Sequence, residues 1–263
     1  MRGFFQWKGG MPVTLQESLE LARKESAGGI GTLGERTLHA ALKYYLQPDP
    51  AFHEVKVGRR VADIQDSRGI IEIQTRQFGR LQGKLEAFLA LGPVTVVYPV
   101  AAQKRLCWMD PKTGETSPWR RSPKKKGPAD ILYELYAIRD FLGNSNLSIR
   151  VLLLEMEEIR CLNGWSHDRK RGSTRIDRVP VSLLGEITVG AKAGYRALLP
   201  AGLPKKFTSK EFAKGAALSL SSAQRGLLLL HQLGVVDRLG KQGRAYLYQA
   251  AEQMKTPREE TVG

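Results

Sequence analysis

The chain has 263 residues, of which 42% are hydrophobic, and 41 Lys and Arg stand against 26 Asp and Glu, for a formal net charge of +15. That size suits one large globular domain or two, and the basic excess points to a polyanionic partner, with nucleic acid ahead of an anionic membrane. No apolar run reaches the roughly 20 residues that cross a bilayer, two cysteines (Cys107 and Cys161) are too few for a disulfide framework, and four His offer no zinc-like cluster.

In chain order, "MRGFFQWKGG" lacks the apolar stretch of a secretory signal, which with the cysteine count predicts a reducing, cytoplasmic setting. "TLQESLELARKE" opens on a capping box, Thr14 to Glu17, and sets Leu15, Leu19 and Ala22 on one helical face. A second helix over about 33–46 buries Leu38, Ala41, Leu42 and Tyr45. Glu35 lies at the edge of its apolar stripe, and His39, one turn on, is assigned to surface or packing. Three extended runs follow, 53–57, 59–65 and 69–75, the last two flanking the turn Asp66-Ser67-Arg68-Gly69. Residues 77–91 read as an amphipathic helix with Leu81, Leu85, Phe88 and Leu89 inward. "PVTVVYPVA" (93–101) reads as a strand buried on both faces. This order predicts a mixed β-sheet flanked by helices, an α/β (α+β) fold.

Further on, 105–117 reads as a hairpin turning at Lys112-Thr113-Gly114, 129–142 as a helix and 147–162 as a long strand. Two segments, 119–128 and 166–178, read as basic loops, and 180–189 is ambiguous. Arg120, Arg121, Lys124, Lys125 and Lys126 in the first loop, and Arg169, Lys170 and Arg171 in the second, are candidate phosphate contacts. Trp108, Trp119 and Trp165 border them and are able to stack on bases. "LPAGLPKK" (199–206) has the composition of a linker. Beyond it come a second capping box, Thr208 to Glu211, a helix over 221–234 and a two-stranded unit over 235–249.

If Gln65 faces Ile70 across the turn, Asp63 lies opposite Glu72, and strand alternation sends Gln74 to the same face. Opposed Cβ atoms are about 4.5–5.5 Å apart, and two carboxylates at that separation repel. A bound divalent cation removes the conflict. Mg²⁺ takes oxygen ligands, with one or two carboxylates plus substrate phosphate, and the Ile73 carbonyl supplies another oxygen.

Glu35 in "GTLGERTLHAAL", Asp63 in "VADI" and "EIQ" at 72–74, followed by a helix and a buried strand, resemble the PD-(D/E)XK nuclease superfamily over about residues 30–102. The resemblance implies a restriction-endonuclease-like core in which Asp63 and Glu72 bind Mg²⁺ (or Mn²⁺), with Glu35 completing the shell. The family's usual lysine is replaced by Gln74, which can orient water but supplies no charge. Lys84 on the next helix is the candidate substitute. "LSLSSAQRGLLLLHQLGVVDRLGKQGRAYLYQ" resembles the winged-helix domains of bacterial transcription regulators. That implies DNA contact through Ser221, Ser222, Gln224 and Arg225 at the start of the second helix, placed in the major groove, and through Lys241 and Arg244 on the wing. The expected organisation is a nuclease-like domain over 1–200, a winged-helix domain over 201–252 and a flexible tail over 253–263. The expected function is Mg²⁺-dependent hydrolysis of DNA by a bacterial protein, with RNA left open and a homodimer among the allowed assemblies. The alternative is a DNA-binding or transcription-regulatory protein on a scaffold that no longer cuts.

Overall fold

The computed structural model describes residues 13–25, 36–164, 172–190 and 192–251. Helix α1 (Leu15–Glu25) starts at the expected capping box. The Thr14 amide donates to the Glu17 carboxylate at 2.7 Å, and the Glu17 amide donates back to Thr14 Oγ1 at 3.2 Å. It packs against α2 (Arg36–Leu46). Leu38, Ala41 and Leu42 are buried as expected, and Tyr44 is more buried than its neighbour Tyr45.

Strands β1 (His53–Val57), β2 (Arg60–Asp66) and β3 (Gly69–Ile73) form an antiparallel meander. Gln65 pairs with Ile70 and Ile64 with Ile71, the register that the turn predicts. A 3-10 turn and helix α3 (Gln82–Leu89) lead into β4 (Val94–Met109), which runs parallel to β3. The crossover between these parallel strands carries α3, with Leu81, Leu85, Phe88 and Leu89 all buried.

The two-residue β5 (Arg120–Arg121) pairs with the far half of β4, beyond the end of β3. The helix expected over 129–142 is largely 3-10, with one α turn, α4 (Leu132–Leu135), and non-helical backbone at Ile138. Pro128 at its start and the break at Ile138 keep it from running as one regular helix. Strand β6 (Leu147–Gly164) lies parallel to β4, and β7 (Gly172–Val189) returns antiparallel along it. This corrects the sequence reading of 166–178 as a loop: residues 172–178 are strand, continuous with the ambiguous 180–189. Strand β7 is at the sheet edge, and one side of an edge strand faces solvent. An edge strand tolerates Pro180, which has no amide to donate, and four register shifts along β6 hide the period of β7, whose one Asp, Asp177, is buried and accepts from Thr37.

The sheet therefore has seven strands in the order β1-β2-β3-β4-β6-β7, with β5 added to β4. After the short α5 (Lys192–Arg196) come β8 (Phe207–Thr208), α6 (Ser209–Ala216), α7 (Leu220–Gln232), β9 (Val236–Gln242) and β10 (Ala245–Ala250). The last strands form a small antiparallel sheet, β8-β10-β9. The capping box at α6 is formed, with the Thr208 amide 2.6 Å from the Glu211 carboxylate.

Helices cover the large sheet on both faces. Leu15, Leu38 and Leu42 pack with Ile64, Ile71, Ile73 and Leu152 on one side. On the other, Leu85 and Phe88 share a single cluster with Leu132 and Leu135 and with Leu227 and Leu230 of α7. The core thus runs without a break from the sheet into the C-terminal unit. Gly226 makes this contact close: a Cβ there would lie 3.0 Å from Leu132.

Candidate active site

Asp63 and Glu72 meet where β2 and β3 part. Their pairing ends at Ile64 and Ile71, one position before the two acids. Beyond it, side chains take over from the ladder. The Ile73 amide donates to Asp63 Oδ2 at 2.7 Å, and the Asp63 amide lies 3.3 Å from Glu72 Oε1. A ladder that opens at this point frees two backbone amides and leaves two carboxylates converging.

Two helices complete the site. Lys84, in the first turn of α3, sends its ammonium to both oxygens of Glu72, at 3.0 and 2.8 Å. From α2, His39 Nε2 lies 3.1 Å from Asp63 Oδ2. Glu72 is only 2% exposed. Burial first, and then the Asp63 charge, push its carboxyl up to about 7, although Lys84 pulls the other way. Burial also acts to raise Asp63, but the hydrogen bond and charge of His39 and the Ile73 amide hold it below the ordinary range. Two adjacent acids are therefore driven apart, one held ionised and the other raised.

Three of the sequence candidates, Asp63, Glu72 and Lys84, are brought together. Gln74 is not part of the contact: its amide donates to the Arg76 carbonyl at 2.6 Å. Glu35 lies outside the described residues, as do Arg169, Lys170, Arg171 and Trp165. His39, which sequence reading assigned to surface or packing, joins the site. Its spacing from Glu35 was the only available signal, because a contact 24 residues away with Asp63 depends on tertiary packing.

The donor chemistry fits a hard divalent cation. Two carboxylates converge with one ammonium, which bonds Glu72 alone, and the atoms they offer are oxygen. Among the described residues no group of three or more His, Cys, Asp and Glu converges to hold an ion alone. Water and substrate phosphate would have to supply the rest, which is the usual pattern for Mg²⁺.

The other candidates have partners of their own or are exposed. Arg120, Arg121, Lys124 and Lys125 are exposed, while Lys126 is engaged with Asp130 at 2.8 Å. Arg120 lies over the Trp108 ring at 5.5 Å, and Arg121 donates to Gln103. Ser221, Gln224, Lys241 and Arg244 are exposed, and Ser222 is half-buried against its helix cap, Ser219. Arg225 is exposed but lies over Tyr133, 4.7 Å from the ring centre. No helix among the described residues is long and apolar enough to cross a membrane.

A family model described as "Domain of unknown function (DUF8091)" matches residues 36–190. That span opens at the first residue of α2 and closes just after β7, so it takes in the whole seven-stranded sheet and its site. An uncharacterized protein of Treponema pallidum (strain Nichols) is 28% identical over 221 residues, covering 83% of this chain and 86% of that protein. No solved structure matches the chain.

Proposed function

The chain belongs to the DUF8091 family, a domain of unknown function, and starting from that membership we propose that it is a divalent-metal-dependent nuclease that hydrolyses phosphodiester bonds in DNA. One observation carries the reading: Asp63 and Glu72 converge at a parting pair of strands, with Lys84 on the following helix bonded to Glu72. The order α2, β1, β2, β3, α3, β4, with β3 parallel to β4, supports a PD-(D/E)XK type of core around that site. The order α6, α7, β9, β10 supports a winged helix behind it. The basic excess supports a nucleic-acid partner.

In this reading Asp63 and Glu72 hold Mg²⁺ or Mn²⁺, which when bound lowers the pKa of a water and offsets phosphate charge. His39 fixes the orientation of the Asp63 carboxylate through Oδ2. The Ile73 amide fixes the same oxygen, so Oδ1 would be the one left for a cation. Lys84 offsets part of the cost of ionising the buried Glu72 and brings a positive charge where the family's motif lysine acts, one element later in the chain.

The test is nicking of plasmid DNA with Mg²⁺. Asp63→Ala and Glu72→Ala are expected to abolish cutting while DNA affinity stays within a few-fold. Lys84→Ala is expected to cost about 10²–10³ in rate, the usual loss for one preorganised electrostatic group. Wild-type rates in both acid variants would refute the site. The second reading, a DNA-binding regulator that does not cut, is favoured by Gln74, whose amide is spent on the Arg76 carbonyl. It predicts no metal-dependent cut on linear, nicked, branched or single-stranded DNA.

A further inference from the structure

The helical segment 128–141 carries an alternating stack of rings and guanidinium groups. Arg139 lies over Tyr136 with 4.9 Å to the ring centre, and Arg225 of α7 reaches Tyr136 at 5.6 Å and Tyr133 at 4.7 Å. The order in space is Arg139, Tyr136, Arg225, Tyr133. Both arginines are exposed, and Tyr133 is 49% exposed. Among the described residues Arg225 makes no ion pair. Arg139 donates to the Tyr136 carbonyl and has Asp140 at 3.8 Å. A guanidinium held over a ring still presents N–H groups at its rim, and those groups match phosphate oxygens.

The stack also has a defined place. The same segment is tied to the entry of α3, where Gln82 donates to the Ala137 carbonyl at 2.7 Å and the Phe78 amide donates to Glu134 at 3.0 Å. Lys84 is in the first turn of α3. Arg225 is in the second turn of α7, whose N-cap is Ser219. The stack therefore bridges the C-terminal unit and the element that supplies the site lysine.

We infer that Arg139 and Arg225, held on Tyr136 and Tyr133, form a phosphate clamp for the backbone of duplex DNA, which the C-terminal unit delivers to the Asp63–Glu72 site. The choice of DNA rests on the proposed function above. The duplex is favoured by the arginines lying over both rings, at 4.7 to 5.6 Å, which sets N–H groups for phosphates beside the rings. It also gives Arg225 a role other than reading bases in a major groove, because its guanidinium is drawn towards the neighbouring segment.

The experiment is fluorescence anisotropy of the full chain with a short fluorescein-labelled DNA duplex, in EDTA, across a KCl series. Arg225→Gln is expected to weaken binding several-fold at low salt and to reduce the log–log salt slope by about 0.9, the loss of one phosphate contact. Arg225→Lys is expected to keep most of that slope. The melting temperature of each variant is read alongside. An unchanged slope in Arg225→Gln overturns the clamp, and a lower melting temperature with an unchanged slope assigns the stack to interdomain packing instead. Should Arg225→Gln fail to fold, Arg139→Gln, at the outer end of the stack, is read in the same way. The same series is run with the labelled single strand, and a loss seen only there overturns the duplex assignment. EDTA separates this test from the nuclease reading. A protein that never cuts but loses slope in Arg225→Gln keeps the clamp, and one that cuts with its slope unchanged loses the clamp alone.

Discussion

Glu72 carries an electrostatic penalty that Lys84 only partly removes. Its folded value of about 7 lies above that of a free carboxyl, so the folded protein binds this proton more tightly than the unfolded chain does. The linked stability is therefore greatest below the ordinary carboxyl range and is lost as pH rises through about 7. Glu72→Gln removes the titration and the repulsion from Asp63. Its melting temperature in metal-free buffer is expected to exceed wild type by a few degrees at pH 8, with the gain gone near pH 4. Equal melting curves at pH 8 would show that Lys84 fully compensates the buried charge. Gln74 gives the contrast within the same motif. With its amide on the Arg76 carbonyl, Gln74→Ala is expected to cost far less cleavage than Lys84→Ala.

At the scale of elements, the turn between β2 and β3 sets the register that makes the acids meet. Gly69 has φ of +111°, and a Cβ built there would stand 2.3 Å from the Pro93 carbonyl oxygen. The Ile70 amide bonds that same carbonyl at 2.9 Å, so the strand has little room to withdraw. Gly69→Ala is expected to cost at least about 1–3 kcal/mol, the range for backbone strain at such positions, measured by urea denaturation. The register itself was legible in the sequence, because a polar turn between two β-branched runs leaves few pairings that keep Ile64 and Ile71 inside. Both capping boxes and the inward set of α3 were legible for the same local reason. Strand β7 was not, since four register shifts along β6 break its alternation and its buried Asp177 is satisfied by Thr37, a contact far apart in the chain. Nor were the bond from His39 to Asp63 and the stack of Arg225 on Tyr133, which join elements far apart in the chain. Charge and exposure alone would assign each of these residues to solvent.

For the whole molecule, the shared core decides what the C-terminal unit is. A texture change near residue 200 reads as a domain boundary, yet Leu227 and Leu230 are buried in one cluster with Leu132, Leu135 and Phe88. Removing residues 203–263 uncovers the apolar side of α4. The truncated chain is expected to lose its cooperative thermal transition or to aggregate, and not merely to bind DNA less tightly. Calorimetry and light scattering on the truncated protein check this. A truncated protein that melts like the full chain would mean that the large sheet is self-sufficient.

The same continuity has a consequence in time. A ribosome adds about 5–20 residues per second, so some seconds pass between the synthesis of Leu132 and that of Gly226, which covers it. By the end of that interval α3 and every strand of the large sheet have been made, with one apolar flank still uncovered. The nascent protein is thus most vulnerable just before its last helix emerges, and holding chaperones have a defined surface and a defined moment at which to act.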